Sequence, residues 1–148
     1  MFLLDTDTVI YSLKGEEAVI SHLEYHRQDP LKICAITLLE LYYGAYKSEQ
    51  VTGNLAKVRR IENVFDIVAV DFSIAETFGM IKSELEIQGI PLDDFDLVIA
   101  SCALALNLTL VTNNVKHFRR VEGLKLENWT RPVSKNYLTG AKGSDKKL

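Results

Sequence analysis

The chain has 148 residues, a length that suits one domain with its own hydrophobic core. Apolar residues make up 47% and charged residues 25%, and the net charge of −3 argues against a surface coated in basic charge for nucleic acid, although a local basic patch remains compatible with it. The N-terminal segment MFLLDTDT has no basic n-region, and the longest uncharged stretch is broken by polar residues. We therefore expect no signal peptide, no membrane span and a cytoplasmic protein.

Short apolar runs alternate with longer segments of helical periodicity. The predicted strands are residues 2–4, 32–36, 67–70 and 109–111, with an edge strand at 124–127. The predicted helices are residues 8–13, 16–27, 37–47 with Thr37 as N-cap, 55–65 after Gly53, a helix from a cap at Asp71 or Ser73 to Glu86, 94–106 after the cap Asp93, and 115–120.

This alternation predicts an α/β fold with a central parallel sheet of four to five strands and helices on both faces. Residues 1–131 are expected to form a single domain. Residues 132–148 are polar and are predicted to be a flexible C-terminal tail. Cys34 and Cys102 lie in apolar segments and are expected to be buried free thiols.

Three acidic residues lie in segments that are otherwise apolar. Asp5 ends the run FLL, Glu40 is the only charged residue between Lys32 and Lys47, and Asp96 opens an uncharged stretch. Burying one unpaired carboxylate costs several kcal/mol or forces its protonation. Three such acids on apolar elements indicate that they meet around a positive charge, for which a divalent metal ion is the simplest candidate.

The predicted topology brings these acids to one edge of the sheet. In an open α/β sheet, functional groups gather beyond the carboxyl ends of the strands. Asp5 ends the first strand, Thr112 and Asn114 follow the fourth, and Glu40 and Asp96 lie near the starts of helices at the same edge.

Each acid also has a structural explanation. Asp5 can cap the following helix, and Asp96 can be the return partner of a capping box with Asp93. Glu40 can pair with Arg59, Arg60 or a backbone amide. Capping explains neither Glu40 inside a helix nor the shared edge. His22 and His26 have helical spacing but no third ligand, so they are expected to be surface residues rather than a zinc site.

The segments LLDTDTVI, ITLLELYYGA and PLDDFDLVIASCALALNLTLVTNNVKHFRRVEGLKLENW, in this order, resemble a PIN domain and more narrowly the VapC toxins of toxin–antitoxin pairs. The resemblance extends from Phe2 to about Trp129. It implies an endoribonuclease that depends on Mg²⁺ or Mn²⁺ and cleaves RNA, often RNA of the translation machinery. The family's carboxylate cluster matches Asp5, Glu40 and Asp96.

The resemblance also implies roles for these residues. Asp5 and Asp96 would bind the metal directly, Glu40 would bind it through water or orient the attacking water, and Thr112 and Asn114 would help to position the site. The products would carry 5′-phosphate and 3′-hydroxyl ends. Asn114 stands where the family often has an acid, as does His117, so the number of metal ions stays open.

Partners follow from the same resemblance. VapC-like proteins usually form homodimers, and a small VapB-like antitoxin holds them inactive by laying a segment across the active site. Four residues are candidates to line a groove for that segment: Tyr42, Tyr43, Tyr46 and Leu13. The alternative for the three tyrosines is that they form core or dimer contacts. Three basic residues after the TNN turn are candidate RNA contacts: Lys116, Arg119 and Arg120.

Two other functions are compatible with parts of the sequence. Asp5-Thr-Asp7-Thr-Val matches the nucleophile motif of haloacid-dehalogenase-like phosphatases, but the acidic pair that this class needs after Lys116 is missing. A PIN-like RNA-binding domain with weakened catalysis is the other alternative. Asn114 favours it, and the presence of all three acids argues against it.

Overall fold

The computed structural model describes residues 1–134 of the chain. The strands in this part are β1 (Phe2–Leu4), β2 (Leu31–Cys34), β3 (Asp66–Val68), β4 (Thr109–Val111) and β5 (Lys125–Glu127). The helices are α1 (Thr6–Leu13), α2 (Glu17–Tyr25), α3 (Ala35–Lys47), α4 (Val51–Val64), α5 (Phe72–Ile87), α6 (Asp94–Ala105) and α7 (Val115–Phe118).

The strands form one parallel sheet in the order β3-β2-β1-β4-β5. In its centre, β1 pairs Phe2 with Leu31 of β2 on one side and with Thr109 of β4 on the other. Because β1 is flanked by strands and covered by helices, its side chains Leu3 and Leu4 are both buried. The predicted α/β sheet with helices on both faces is confirmed.

Two apolar cores lie on opposite faces of the sheet, as the alternation of side chains along a strand requires. Leu3 belongs to the core that packs against α5 and α6, which supply residues such as Ile81 and Ile99. Leu4 belongs to the core that packs against α1 to α4, with Val9 and Val58 among its members. Each core covers one side of the central strand, so the position of Asp5, one residue beyond β1, is fixed from both faces.

Several element boundaries differ from the predicted ones. Helix α3 begins at Ala35, directly after β2, so Thr37 lies inside the helix rather than capping it. Thr37 is fully buried, and its hydroxyl is 3.1 Å from the hydroxyl of Thr6. Helix α4 begins at Val51 and contains Gly53, because packing against α3 and the hydrogen bond from Asn54 to Ser48 outweigh the low helix propensity of glycine.

The segment after β5 is anchored by Trp129, which is buried and packs its ring against α2. The ring lies parallel to those of His22 and His26, with centroids 5.3 and 5.0 Å away, and its Nε1 donates to Glu127 Oε2 at 2.8 Å. The prediction that the two histidines are surface residues is therefore wrong. Both are half-buried, because they stack on an aromatic residue distant in sequence.

Cys34 and Cys102 are buried free thiols, as predicted, with their Sγ atoms 3.4 Å apart. No helix within residues 1–134 is long and apolar enough to cross a membrane. Of the predicted tail, residues 135–148 lie outside the described part of the chain.

Replacement of Trp129 by alanine tests whether this residue closes the domain. Loss of a buried Trp side chain is expected to lower the free energy of unfolding by about 3–5 kcal/mol, measured by urea denaturation. Val64→Ala is the control, because Val64 is 70% exposed on α4 and its truncation should change the free energy by less than about 0.5 kcal/mol. Similar destabilisation by both variants would contradict this function of Trp129.

Candidate active site

Asp5 lies at the carboxyl end of the central strand and is buried. Its main-chain N–H donates to Val111 O at 2.9 Å, which continues the pairing of β1 with β4. Its Oδ1 accepts from the N–H of Thr6 at 2.8 Å, and its Oδ2 accepts from the hydroxyl of Thr112 at 2.7 Å. Asp5 therefore caps α1, as one explanation held, and it also faces the end of β4.

Glu40 reaches the same edge from α3. Its Oε1 accepts from the hydroxyl of Thr6 at 2.7 Å, so Thr6 binds Asp5 through its main chain and Glu40 through its side chain. Glu40 forms no ion pair with Arg59 or Arg60 within residues 1–134, and that explanation of Glu40 is wrong. The half-buried Glu40 side chain is therefore bonded to a hydroxyl rather than to a basic group.

Asp96 lies in the first turn of α6, behind the N-cap Asp93, whose side chain accepts from the N–H of Phe95. Asp96 forms no hydrogen bond back to the cap in this part of the chain, so the capping-box explanation does not hold. Its pKa is raised first by burial and then by repulsion from Asp93 and Glu40, while the nearby His117 lowers it. Asp96 is therefore close enough to Glu40 for the two side chains to interact electrostatically.

The acids at this edge repel one another. Burial, followed by repulsion from Asp7, raises the pKa of Asp5 to about 7, although the hydrogen bonds from Thr112 and Thr6 oppose the shift. Asp96 raises it further. Burial also raises the pKa of Asp7. The main causes of these shifts include no Lys or Arg, and only His117 opposes the repulsion at Asp96, so a cation would relieve the repulsion among the acids.

The turn after β4 supplies the polar residues that the sequence places there. Thr112 is fully buried, and its hydroxyl donates to Asp5 while accepting from the N–H of Asn114 at 3.0 Å. The amide nitrogen of Asn114 lies 2.8 Å from Nδ1 of His117. Thr112 therefore contacts Asp5 directly, whereas the side chain of Asn114 is hydrogen-bonded to His117.

Sequence reasoning missed Thr6. Its signal in the sequence is a hydroxyl residue directly after an acid at a helix start, where the main-chain N–H is free to bind that acid. The long-range hydrogen bond from its hydroxyl to Glu40 cannot be derived from the local pattern, because it depends on how α3 packs against α1.

The candidate RNA contacts follow the turn. Lys116 and Arg119 are exposed and form no ion pair with any described residue. Arg120 is half-buried and donates through Nη1 to the carbonyl oxygen of Pro91 at 2.9 Å. Arg120 thus uses one donor within the protein. Lys116 and Arg119 are more available than Arg120 for contacts with RNA.

A groove of about 350 Å³ adjoins Glu40 between α1, α3 and α4. Leu13 lines it, as the sequence suggested, together with Ile10, Lys14, Leu41, Gly44, Ala45, Asn54, Lys57 and Val58. The tyrosines do not line it: Tyr42 donates its hydroxyl to Glu62, and Tyr43 and Tyr46 are exposed on α3. The groove is apolar along its floor, with an acid at one end and two lysines among its lining residues.

The side chains at this edge fit a metal ion by their chemistry. Within residues 1–134, no three His, Cys, Asp or Glu side chains already converge on one ion position. The carboxylates of Asp5, Glu40 and Asp96 are nevertheless the hard oxygen ligands that divalent ions prefer. Asp96 is half-buried and without a hydrogen bond in this part of the chain, so its side chain can turn toward an ion.

The phosphatase alternative finds no support in this geometry. Between Lys116 and the end of the described residues, the acids are Glu122 and Glu127. Glu127 binds the indole of Trp129, and Glu122 is exposed beyond α7. Neither forms the acidic pair that an aspartyl-phosphate route needs beside Asp5.

Residues 2–124 match the model of the PIN domain family. The chain is 37% identical to the tRNA(fMet)-specific endonuclease VapC of Shigella flexneri over 129 residues, which cover 87% of this chain and 98% of that protein. It is 38% identical to ribonuclease VapC2 of Rickettsia felis, over 88% of this chain and 99% of that one.

Solved structures agree with these sequence matches. The crystal structure of VapBC2 from Rickettsia felis, bound to a DNA fragment from its promoter, matches with a TM-score of 0.82 and 35% identity over 86% of this chain and 98% of that one. DNA-bound VapBC from Salmonella typhimurium matches with the same score and identity over 86% and 97%. The chain therefore belongs to the PIN-domain family and, within that family, to the VapC ribonucleases.

Proposed function

We propose that this chain is a metal-dependent endoribonuclease and the toxin of a toxin–antitoxin pair. The observation that carries the proposal is the position of Asp5, Glu40 and Asp96 at one edge of the sheet, where Thr6 bonds to both Asp5 and Glu40, in a chain of the VapC family. Relatives that align over nearly their whole length are named ribonucleases.

Asp5 and Asp96 would hold Mg²⁺ or Mn²⁺ directly, and Glu40 would act through a water molecule. A bound divalent ion lowers the pKa of water and neutralises charge on a phosphate, which favours in-line hydrolysis to 5′-phosphate and 3′-hydroxyl ends. Thr112 and Thr6 fix the Asp5 carboxylate from two sides, while the Thr6 hydroxyl fixes Glu40. Glu40 is thereby positioned to orient the attacking water.

The substrate is RNA of the translation machinery. The Shigella flexneri relative is named for its action on tRNA(fMet), so a tRNA is the first substrate to test. Lys116 and Arg119 follow the turn that carries Thr112 and Asn114, where they can bind phosphates beside the scissile bond.

The partner is a VapB-like antitoxin, as in the VapBC complexes that this fold matches. The groove beside Glu40 is lined by apolar residues such as Leu13 and Leu41, which can take the apolar side chains of an antitoxin segment. The acids at its end favour a Lys or Arg from that segment. Phe72 and Ile87 are highly exposed, and we infer that the chain also forms a homodimer that covers apolar surface of this kind.

Substitution of Asp96 by asparagine should abolish RNA cleavage while leaving the domain folded. The amide keeps the size of the side chain and removes the charge that would hold the ion. Cleavage of a tRNA pool with Mg²⁺ is the measurement, with the melting temperature as the check on folding. Asp94→Asn is the matched control, because Asp94 lies two residues earlier, is exposed and pairs with Lys82 at 2.7 Å.

Chelation by EDTA should stop cleavage by the wild-type chain. Full activity of Asp96→Asn, or activity that survives the chelator, would contradict the proposed function. RNA binding without cleavage under any metal condition would indicate a PIN-like RNA-binding domain instead.

The raised pKa of Asp5 predicts how the stability of the metal-free protein depends on pH. Since the folded pKa of about 7 exceeds the unfolded value of about 3.9, the folded state binds the proton more tightly, and stability is lost as pH rises through 7. We expect the free energy of unfolding in EDTA to be about 1 kcal/mol higher at pH 6 than at pH 8.

The difference between the wild-type profile and that of Asp5→Asn isolates this carboxyl from the other titrating groups. Urea denaturation at both pH values provides the measurement. Parallel profiles for the two proteins would show that Asp5 does not titrate in this range.

The contribution of the basic residues is measurable through salt. The double variant Lys116→Ala, Arg119→Ala should weaken binding of uncleaved RNA in EDTA and reduce the slope of log affinity against log salt by roughly 1.4–1.8. Lys125→Ala is the control, because Lys125 begins β5 at the opposite end of the sheet and bonds to Asn107. An unchanged slope in the double variant would exclude these two contacts.

A further inference from the structure

We propose that Asp7 is a positioning residue that strengthens divalent-ion binding by its charge, from a carboxylate held in place by the β4–α7 turn. The inference rests on the proposed function, since it concerns the ion that the site would hold. Asp7 would not be a ligand of the ion. It would act through space on a site whose turn otherwise carries only neutral side chains.

The carboxylate of Asp7 is bonded across the site as well as to its own helix. Its Oδ2 accepts from the main-chain N–H of Asn113 at 3.0 Å, over 106 residues of sequence, and its Oδ1 lies 3.2 Å from the hydroxyl of Thr8. An acid in the first turn of a helix ordinarily faces solvent or the free N–H groups of that helix. Asp7 instead joins α1 to the turn after β4.

The side chain of Asn113 makes this attachment rigid. Its Nδ2 lies 3.4 Å from the hydroxyl of Tyr11, and its Oδ1 accepts from Asn128 and from Thr130, each at 3.2 Å. The turn is thus bonded to α1 and to the segment after β5. A carboxylate bound to this turn cannot move away from the neighbouring acids without breaking the network.

The same turn is hydrogen-bonded to Asp5, a proposed ligand of the ion. Thr112 precedes Asn113 and donates to Asp5, while Asn114 follows it and donates its N–H back to Thr112. Asp7 lies two residues after Asp5 and contacts the turn between these two positions. Asp7 therefore adds a negative charge beside the turn that holds the Asp5 carboxylate.

This arrangement is unfavourable unless a cation is present. A buried or half-buried carboxylate beside two others destabilises the fold through repulsion and desolvation. An asparagine at position 7 would accept the same hydrogen bond from Asn113 without that repulsion. The charge of Asp7 therefore contributes nothing that a neutral acceptor could not supply, except attraction for a positive ion.

The variant Asp7→Asn separates charge from hydrogen bonding. Titration calorimetry of the full chain with Mn²⁺ alone is expected to give roughly tenfold weaker binding than wild type, in line with loss of one charge near a divalent ion. The melting temperature in EDTA is expected to be unchanged or higher, because repulsion is relieved while the bond to Asn113 is kept.

A charge placed on the other side of the turn provides the rescue. In the Asp7→Asn background, Asn114→Asp should bring Mn²⁺ affinity back to within about threefold of wild type, since Asn114 is bonded to the same Thr112. Asp94→Asn is the control for removing an acid elsewhere on the surface, and it should leave the affinity unchanged.

The outcomes distinguish this inference from the proposed function. Equal Mn²⁺ affinity of wild type and Asp7→Asn overturns the role of Asp7 while leaving the metal site in place. A fall in both affinity and metal-free melting temperature also overturns it, because Asp7 would then only support the fold. A wild-type chain that binds no Mn²⁺ overturns the metal proposal itself, and this inference with it.

Discussion

The burial of Asp5 at the end of the central strand is the constraint on which the rest of the site depends. The main chain of Asp5 continues the ladder between β1 and β4, and the side chains of Leu3 and Leu4 are buried against opposite faces of the sheet. The carboxylate therefore cannot turn toward solvent without unpairing the strand. Its hydrogen bonds to Thr6 and Thr112 satisfy its oxygens but do not neutralise its charge.

The repulsion among the acids lowers the stability of the metal-free fold and favours the binding of a cation. Asp7 and Asp96 add repulsion to a carboxyl whose pKa is already raised by burial. Each charge weakens the metal-free fold and strengthens the attraction for a cation, so the same residues have opposite effects in the two states. An antitoxin that brought a basic side chain to these acids would relieve the same repulsion, so it would compete with the proposed metal ion for one place.

The sequence predicted the site best where a charged residue lies in an otherwise apolar segment. The placement of Asp5, Glu40 and Asp96 at one edge of the sheet could be predicted, because parallel strands end at one edge and functional groups gather there. The start of α3 at Ala35 could not be predicted. Thr37 has the residue type of a helix cap, but it lies inside the helix and packs against Thr6. The stacking of His22 and His26 on Trp129 could not be predicted either, because it depends on a contact between residues distant in sequence. Local spacing contains no information about a partner about a hundred residues away.

The order of the strands in space also controls when the site can exist during synthesis. Asp5 is synthesised well before its hydrogen-bond partner Thr112, which follows 107 residues later, and β1 pairs with β4 as well as with β2. An incomplete nascent chain cannot form the central strand pairing or close the edge at which the acids meet. For a VapC ribonuclease, this topology delays activity until β4 and the residues after it have been synthesised, when an antitoxin can bind the domain.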